Sequence, residues 1–337
     1  MFNFFNSNKM FFIFILFFST LISVSSNSWM GCWIGLEINL LSFIPLISNN
    51  KNLLQTEASL KYFLTQSIAS INFLFFILLK MFFMKNFEIN NYFSLLINSS
   101  LLMKMGSFPF HFWFPNIMEG LNWMNCFILM TWQKISPMIL LSYYMNNNFI
   151  MIIMMSNIMI GAISGFNQTS LRKLMAFSSI NNLGWLMAAL MISENMWLLY
   201  FSLYLLMNFI MCFLFYMLNI FYINQIMNFN LISFIKTSLL INFFSLGGLP
   251  PFLGFFPKWI IINFLINNKM LMISFIFMMF SLIMLFFYIR IIYISLMLSF
   301  FKLKWFKINI KNNLFLMINF FSFISLTGLI FNTLIFM

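Results

Sequence analysis

Apolar runs of about twenty residues, separated by short polar segments, fill almost all of this 337-residue sequence. About 20 helical residues cross the hydrocarbon core of a bilayer. Because 63% of the residues are hydrophobic and only 7% are charged, one soluble core could not bury the apolar side chains. The sequence therefore predicts an all-α polytopic membrane protein. The predicted runs are 4–25, 28–47, 59–79, 91–113, 122–144, 148–166, 173–192, 195–221, 232–266, 271–299 and 314–336.

A ten-residue pattern occurs twice and interrupts two of these runs. Residues 106–115 and 248–257 both read G-x-x-P-F-x-x-[F/W]-F-P. Glycine and proline disfavour an uninterrupted helix, so we expect half-helices in the fourth and ninth crossings, and 11 crossings in all. The two copies lie five crossings apart and so run in opposite directions, as in the inverted repeats of transporters. We predict one transmembrane domain, 1–337, with a first repeat at about 1–144, a second at about 148–299 and a C-terminal helix at about 314–336.

Basic residues in the polar segments predict the orientation of the chain. Segments that stay inside a compartment carry an excess of lysine and arginine. With 11 crossings, the N-terminus and the even-numbered loops share one side, which holds most of the basic residues, and we expect this side to face inwards. That side carries Lys9, Lys51, Lys61, Arg172, Lys173, Lys302, Lys304, Lys307 and Lys311, and the outer side carries Lys80, Lys85 and Lys269.

The amino-acid usage suggests an organellar gene. Phenylalanine occurs 52 times and methionine 32 times, whereas aspartate is absent, and this bias follows A/T-rich codons. The net charge of +12 does not indicate a nucleic-acid partner, because the basic residues are spread between apolar runs and form no single solvated face.

Four of the charged residues within the predicted crossings are the main candidates for a proton path. Glu37 lies midway along the second run, Lys134 lies midway along the fifth, and Lys104 and Lys258 flank the two breaks. Each costs about 2.5–3.5 kcal/mol to insert, so anchoring alone does not explain them. Burial disfavours a charged lysine and a nearby carboxylate favours it, so a Lys–Glu pair that opens and closes can act as a proton gate. The alternative is that each charged side chain reaches the membrane surface or forms an ion pair that has no functional role.

Three further residues are candidates for a proton relay. His111, the only histidine, follows the first break among aromatic residues, and a packed, hydrogen-bonded histidine is the competing interpretation. Lys61 and Lys173 lie nearer to the ends of their runs, where a lysine side chain commonly extends to the membrane surface.

No redox or metal cofactor is predicted in this chain. One histidine cannot supply both axial ligands of a bis-histidine haem, and an iron–sulfur cluster takes four ligands, whereas Cys32, Cys126 and Cys212 are far apart. Neither a G-x-G-x-x-G pattern nor a P-loop occurs. We expect the energy for any transport to come from a partner or a gradient.

Six motifs, spread over most of the chain, are specific in combination. They are Gly35–Leu40, Glu57–Phe63, Pro109–Pro115, Thr131–Lys134, Leu171–Ile180 and Leu249–Trp259. Together they resemble the family of NADH-ubiquinone oxidoreductase chain 2, the mitochondrially encoded, antiporter-like subunit in the membrane arm of respiratory complex I.

The resemblance implies a part in proton pumping while NADH reduces ubiquinone elsewhere in the complex. It implies that Glu37 and Lys104 form a coupling pair, that Lys134 is the central relay, and that Lys258 lies on the outlet path. It assigns NAD, FMN, iron–sulfur clusters and ubiquinone to other subunits. The implied partners are neighbouring antiporter-like chains, accessory subunits and membrane lipids. The implied location is the mitochondrial inner membrane, with the N-terminus in the matrix and the C-terminus in the intermembrane space.

One position departs from the family pattern, and two other functions remain open. Relatives often have histidine in S-I-x-H-x-G-W, whereas residues 179–185 read S-I-N-N-L-G-W, so Asn182 cannot titrate there. One alternative is a free-standing cation/proton antiporter of related fold, although no intramembrane aspartate is present to help build an ion site. The other is a structural linker subunit that does not pump.

Overall fold

The computed structural model describes residues 7–49, 52–83, 87–228, 233–297, 317–320 and 322–328, and these are almost entirely helical. Seven of the described helices are long and apolar enough to cross a membrane. The helices are α1 (Ser7–Ser25), α2 (Trp29–Ile47), α3 (Leu53–Phe82), α4 (Phe87–Met105), α5 (Trp113–Gly120), α6 (Trp123–Met130), α7 (Trp132–Ser142), α8 (Asn147–Gly165), α9 (Leu171–Ile192), α10 (Glu194–Leu218), α11 (Ile223–Asn228), α12 (Ser233–Gly247), α13 (Phe255–Asn267) and α14 (Leu271–Met297).

The predicted all-α fold with two broken helices is confirmed. α4 and α5 form the interrupted fourth crossing, and α12 and α13 form the interrupted ninth. The eleventh predicted run, 314–336, lies mostly outside the described residues.

Two predicted runs need correction. The fifth, 122–144, is two helices, because the backbone turns at Thr131 between α6 and α7. The third, predicted as 59–79, is the 30-residue helix α3, which begins at Leu53. Polar residues follow Leu53 and Leu54 in its first turns, which breaks the apolar pattern, and an i,i+4 ion pair between Lys61 and Glu57 supports the helix there.

The chain divides into two compact units, residues 1–153 and 154–337. In the first unit, α1 packs against α2, and α3 packs against α2, α4 and α5. In the second, α10 packs against α9, and α14 packs against α12 and α13. Within this second unit α9 is central. In its most hydrophobic 18-residue stretch 89% of the residues are buried, compared with 28% in that of α14. The division into sequence repeats stays a prediction.

The two breaks interrupt their helices at equivalent positions and end them with the same hydrogen-bond pattern. α4 ends at Met105 and α5 begins at Trp113. In the second break α12 ends at Gly247 and α13 begins at Phe255, each 142 residues further along the chain. Ser107 N–H donates to the Leu102 carbonyl (3.1 Å), and the equivalent bond joins residues 249 and 244 (3.3 Å). Each helix thus ends in a Schellman motif, which needs a left-handed residue after the last turn. Gly106 and Gly248 supply it, with φ of 70° and 83°.

Candidate functional site

A small cavity in the first unit brings two of the predicted lysines together. Lys104, in the last turn of α4, and Lys134, in the first turn of α7, both line it. Its volume of about 20 Å³ is enough for about one water molecule. The breaks at Gly106 and Thr131 place both lysines at helix ends, where backbone groups have no intrahelical partner.

Polar side chains from α2, α3 and α7 surround this cavity. The Tyr62 hydroxyl donates to Gln133 Oε1 (3.4 Å), and the Gln133 amide donates to Asn39 Oδ1 (3.0 Å). The Gln66 amide donates to the Lys104 backbone carbonyl at 3.1 Å, which satisfies a carbonyl at the end of α4. Four helices, α2, α3, α4 and α7, are thereby tied together around the two lysines.

A hydroxyl in the cavity wall has an unfilled hydrogen-bonding position. Ser136 is 1% exposed, and its Oγ has no hydrogen-bond partner in the described chain. Buried polar groups are nearly always paired, with protein or with ordered water. Because Ser136 lines a space large enough for a water, water is the natural partner.

Lys134 is more deeply buried than any other charged side chain described. It is 1% exposed, and its Nζ lies 5.2 Å from the centre of the Phe114 ring at the start of α5. A cation over an aromatic face is stabilised electrostatically. The first break therefore supplies an aromatic wall for the lysine of the neighbouring crossing.

Glu37 does not share the cavity with the lysines. The residue is half-buried on α2 and acts on Lys104 electrostatically, but no ion pair joins the two in the described structure. The sequence does not decide whether the two side chains touch, and the role of the pair in proton coupling stays a prediction.

Lys258 occupies a different environment in the second unit. Its ammonium donates to the carbonyls of Gly247 (3.0 Å) and Leu246 (3.4 Å), the last residues of α12. Carbonyls at a helix C-terminus carry partial negative charge and favour a cation. The Trp185 ring centre lies 5.8 Å from the same Nζ. The lysine of α13 thus caps α12 across the break.

The position that departs from the family pattern lies beside Lys258. A cavity of about 30 Å³ is lined by Lys258, Asn182, Tyr200 and Tyr204, among others. The Tyr200 hydroxyl donates to Asn182 Oδ1 at 3.2 Å. Asn182 therefore keeps a hydrogen-bonding group in this cavity, but one without a titratable proton.

The three weaker relay candidates lie outside both cavities. His111 lies in the break between α4 and α5, 7% exposed, with its ring 4.1 Å from that of Phe112 and no hydrogen bond to Nδ1 in the described residues. Lys61 is half exposed and pairs with Glu57 at 2.6 Å. Lys173 is half-buried in the first turn of α9. Their relay roles stay predictions.

Sequence reasoning missed the neutral members of both cavities. Tyr62, Gln66 and Ser136 in the first unit, and Tyr200 in the second, carry no charge, so the insertion cost that identified the lysines does not single them out. Tyr62 and Gln66 share one face of α3 at i and i+4, which is the one pattern that could have paired them.

Comparisons with known proteins agree with this architecture. A family model described as NADH:quinone oxidoreductase/Mrp antiporter, TM, matches residues 26–285. Proteins named NADH-ubiquinone oxidoreductase chain 2 from Aedes aegypti and Anopheles gambiae are 51% and 50% identical over 337 and 335 residues, and each match covers 98% of both chains. Respiratory complex I from Thermus thermophilus contains a chain of similar fold, with a TM-score of 0.83 at 17% identity, over 95% of this chain and 77% of that chain. The Mrp complex from Dietzia sp. also contains a chain of similar fold. The TM-score is 0.74 at 12% identity, and the match covers 83% of this chain and 59% of that chain.

Proposed function

Because the chain belongs to the NADH:quinone oxidoreductase/Mrp antiporter family, and within it to the NADH-ubiquinone oxidoreductase chain 2 proteins, we propose that it is a core membrane-arm subunit of respiratory complex I. The complex passes electrons from NADH to ubiquinone and pumps protons. This chain contributes a proton path built from buried lysines, a glutamate and water.

The observation that carries this proposal is the shared cavity of Lys104 and Lys134. An ammonium group gives up a proton to a water, and that water passes a proton to the next amine, so one water between two lysines is enough for a transfer. Ser136 holds the water, while Tyr62 and Gln133 fix the polar wall. A small shift of Glu37 towards Lys104 favours the charged lysine, and its withdrawal favours release.

Lys258 belongs to the later part of the same path. Its ammonium is held by two helix-end carbonyls, so a proton leaves it only when these bonds are exchanged for others. Asn182 and Tyr200 supply neutral hydrogen-bonding groups on the other side of the cavity. This arrangement supports a role in holding and then passing on a proton towards the outlet.

The wider assignments follow from family membership. We place the chain in the mitochondrial inner membrane, with its N-terminus in the matrix and its C-terminus in the intermembrane space. Its partners are neighbouring antiporter-like subunits, accessory chains and lipids. NAD, FMN, iron–sulfur clusters and ubiquinone are assigned to other subunits on the same ground, and three scattered cysteines also fall short of the four ligands of a cluster.

The decisive experiment replaces Lys134 by methionine, which keeps the volume and removes the charge. In membranes that contain the assembled complex, checked on native gels, we expect Lys134→Met to lower NADH-driven, quinone-dependent proton pumping severalfold. Lys269→Asn is the matched control, because it removes an exposed lysine outside both cavities and keeps a residue that tolerates its positive φ of 60°.

Two other results would favour a different function. Unchanged turnover and an unchanged proton-to-electron ratio in assembled Lys134→Met complex would contradict the proton path and favour a linker subunit. Proton exchange against a cation that requires neither NADH nor quinone would instead favour a free-standing antiporter.

A further inference from the structure

A larger cavity, of about 240 Å³, lies at one end of the second unit and has no part in the lysine path. The end of α8, the start of α9, the short helix α11 and the last turns of α14 enclose it. Four neutral polar side chains and one cation line it, together with the apolar ring of Phe287. The polar members are Asn167, Gln168, Thr169, Asn224 and Arg290.

The cation in this cavity has no carboxylate partner among the described residues. Arg290 is exposed and forms no ion pair in the described structure, and its guanidinium carbon lies 5.7 Å from the centre of the Phe166 ring. Glu194 is the only acidic side chain between residues 154 and 337. It follows the C-terminal end of α9, whereas the cavity lies at the N-terminal end, and the 22 residues between span about 33 Å.

The surrounding backbone is firmly held. Leu171 N–H donates to the Phe221 carbonyl (2.9 Å), and Ile223 N–H donates to the Thr169 carbonyl (3.1 Å). The Gln168 amide donates to the Ser164 carbonyl at 3.0 Å. These bonds tie the segments before α9 and α11 into one wall, which holds the backbone that carries the polar side chains.

The start of α9 adds positive potential to the same wall. No acidic residue lies in its first turn, and the side chain of its N-cap, Ser170, makes no capping bond. Ser170 is 3% exposed, and its Oγ has no hydrogen-bond partner in the described chain. The positive end of this helix dipole, where the Phe221 carbonyl accepts a hydrogen bond from Leu171 N–H, lies beside Thr169 and Leu174, which line the cavity.

From these features we propose that the cavity binds a phosphate group, as the head group of an anionic phospholipid presents it. The guanidinium of Arg290 matches two phosphate oxygens, and the amides of Asn167 and Asn224 can donate to the rest. Basic pockets between spanning helices on the inner side of a membrane suit such lipids. The exposed apolar side chains of Phe286 and Ile289, on the helix that carries Arg290, provide a surface for the acyl chains.

The test uses the intact purified complex, partially delipidated in detergent, and a photoactivatable anionic phospholipid. Crosslinked peptides are mapped by mass spectrometry. We expect labelling of the peptides around residues 166–171 and 286–293, competed by unlabelled cardiolipin and not by phosphatidylcholine. Arg290→Gln should lower labelling about tenfold, because a charged hydrogen-bonding partner is lost. Lys269→Asn, at the other end of α14, should leave it unchanged.

Further arms separate the possible outcomes. Arg290→Lys keeps the positive charge but loses the planar guanidinium that matches two phosphate oxygens, so it should retain part of the labelling. Asn224→Leu tests the site if Arg290→Gln fails to assemble. Competition by inorganic phosphate as strong as that by cardiolipin would support the phosphate site and assign it to a soluble anion. Equal labelling of Arg290→Gln and the unmodified complex, equal competition by phosphatidylcholine, or no labelling of these peptides would overturn the proposal.

Discussion

At the scale of single residues, Gln133 occupies a position that no other side chain in the first unit can fill. It accepts a hydrogen bond from Tyr62 and donates one to Asn39, and so joins α3 to α2 beside Lys134. An amide can both donate and accept, whereas its isosteric carboxylic acid can only accept when ionised. The order of the polar wall thus depends on this amide.

We predict that Gln133→Leu leaves two buried polar groups unpaired and destabilises the first unit by about 1–3 kcal/mol. Turnover of the assembled complex should fall more than in Tyr62→Phe, which removes only the longer of the two bonds. Thermal inactivation and NADH-driven pumping, measured on the same preparations, check this. Equal effects of the two substitutions would contradict the order of importance assigned to these bonds.

A second residue-scale prediction concerns the cavity of Lys258. A histidine has an unperturbed pKa of about 6.5, so Asn182→His places a group that titrates near neutral pH next to a lysine. Below that pH the imidazolium and the ammonium repel each other. We expect pumping to become more sensitive to acid than in the unmodified complex, as measured between about pH 5.5 and 8.5. Asn182→Gln is the control, and superimposable pH profiles for His and Gln would refute the prediction.

The charged half of the site could be predicted from the sequence, and the neutral half could not. Lys104, Lys134 and Lys258 stand out because an isolated charge in an apolar run has a large insertion cost. Gln66 and Ser136 resemble many other polar residues along the chain, and only the rotation of each helix decides which of them face a cavity. For the same reason the sequence could suggest Glu37 and Lys104 as a pair but could not decide whether their side chains touch.

At the scale of helices, the two breaks depend on backbone handedness. A residue with a side chain costs about 1–2 kcal/mol in the left-handed conformation of Gly106 and Gly248. A Cβ on Gly106 would also lie 2.9 Å from Phe114 Cβ, and one on Gly248 would lie 3.1 Å from Lys258 Nζ. Both glycines are therefore needed to keep the half-helices, and the lysines beside the breaks, in their observed positions.

We predict that Gly106→Ala and Gly248→Ala each lower the amount of assembled complex and its midpoint of thermal inactivation. Gly247→Ala is a close control, since Gly247 has no positive φ and a Cβ there would meet no atom closer than 3.5 Å. Native gels and heat inactivation of the three variants check this. If Gly247→Ala were as damaging as its neighbour, backbone handedness would not be the cause.

The breaks were predictable because glycine and proline cluster there. The two copies of the ten-residue pattern also indicated where each break begins and ends. The turn at Thr131 was not, because it contains neither residue, and it arises where Thr131 Oγ1 bonds the Phe127 carbonyl at 2.6 Å. The short helix α11 was missed as well. Its six residues carry no apolar period long enough to be recognised.

At the scale of the whole molecule, the distribution of basic residues predicts which polar segments face the matrix. Asn52→Cys and Lys269→Cys are suitable reporters, because both positions are exposed and the three native cysteines are buried. We expect a membrane-impermeant maleimide to label Asn52→Cys only from the matrix side and Lys269→Cys only from the opposite side. Labelling of both after detergent treatment is the control, and the reverse pattern would invert the topology.

The small volume of the cavity between Lys104 and Lys134 has an electrical consequence. Carrying one elementary charge across 100 mV takes about 2.3 kcal/mol. A space of about 20 Å³ holds no conducting column of water, so the membrane voltage falls through low-dielectric protein above and below it. On the proposed path, a proton that rests there would have crossed only part of the voltage. The work against the membrane potential is thus divided into two smaller steps, and each step can be driven by a local change in charge.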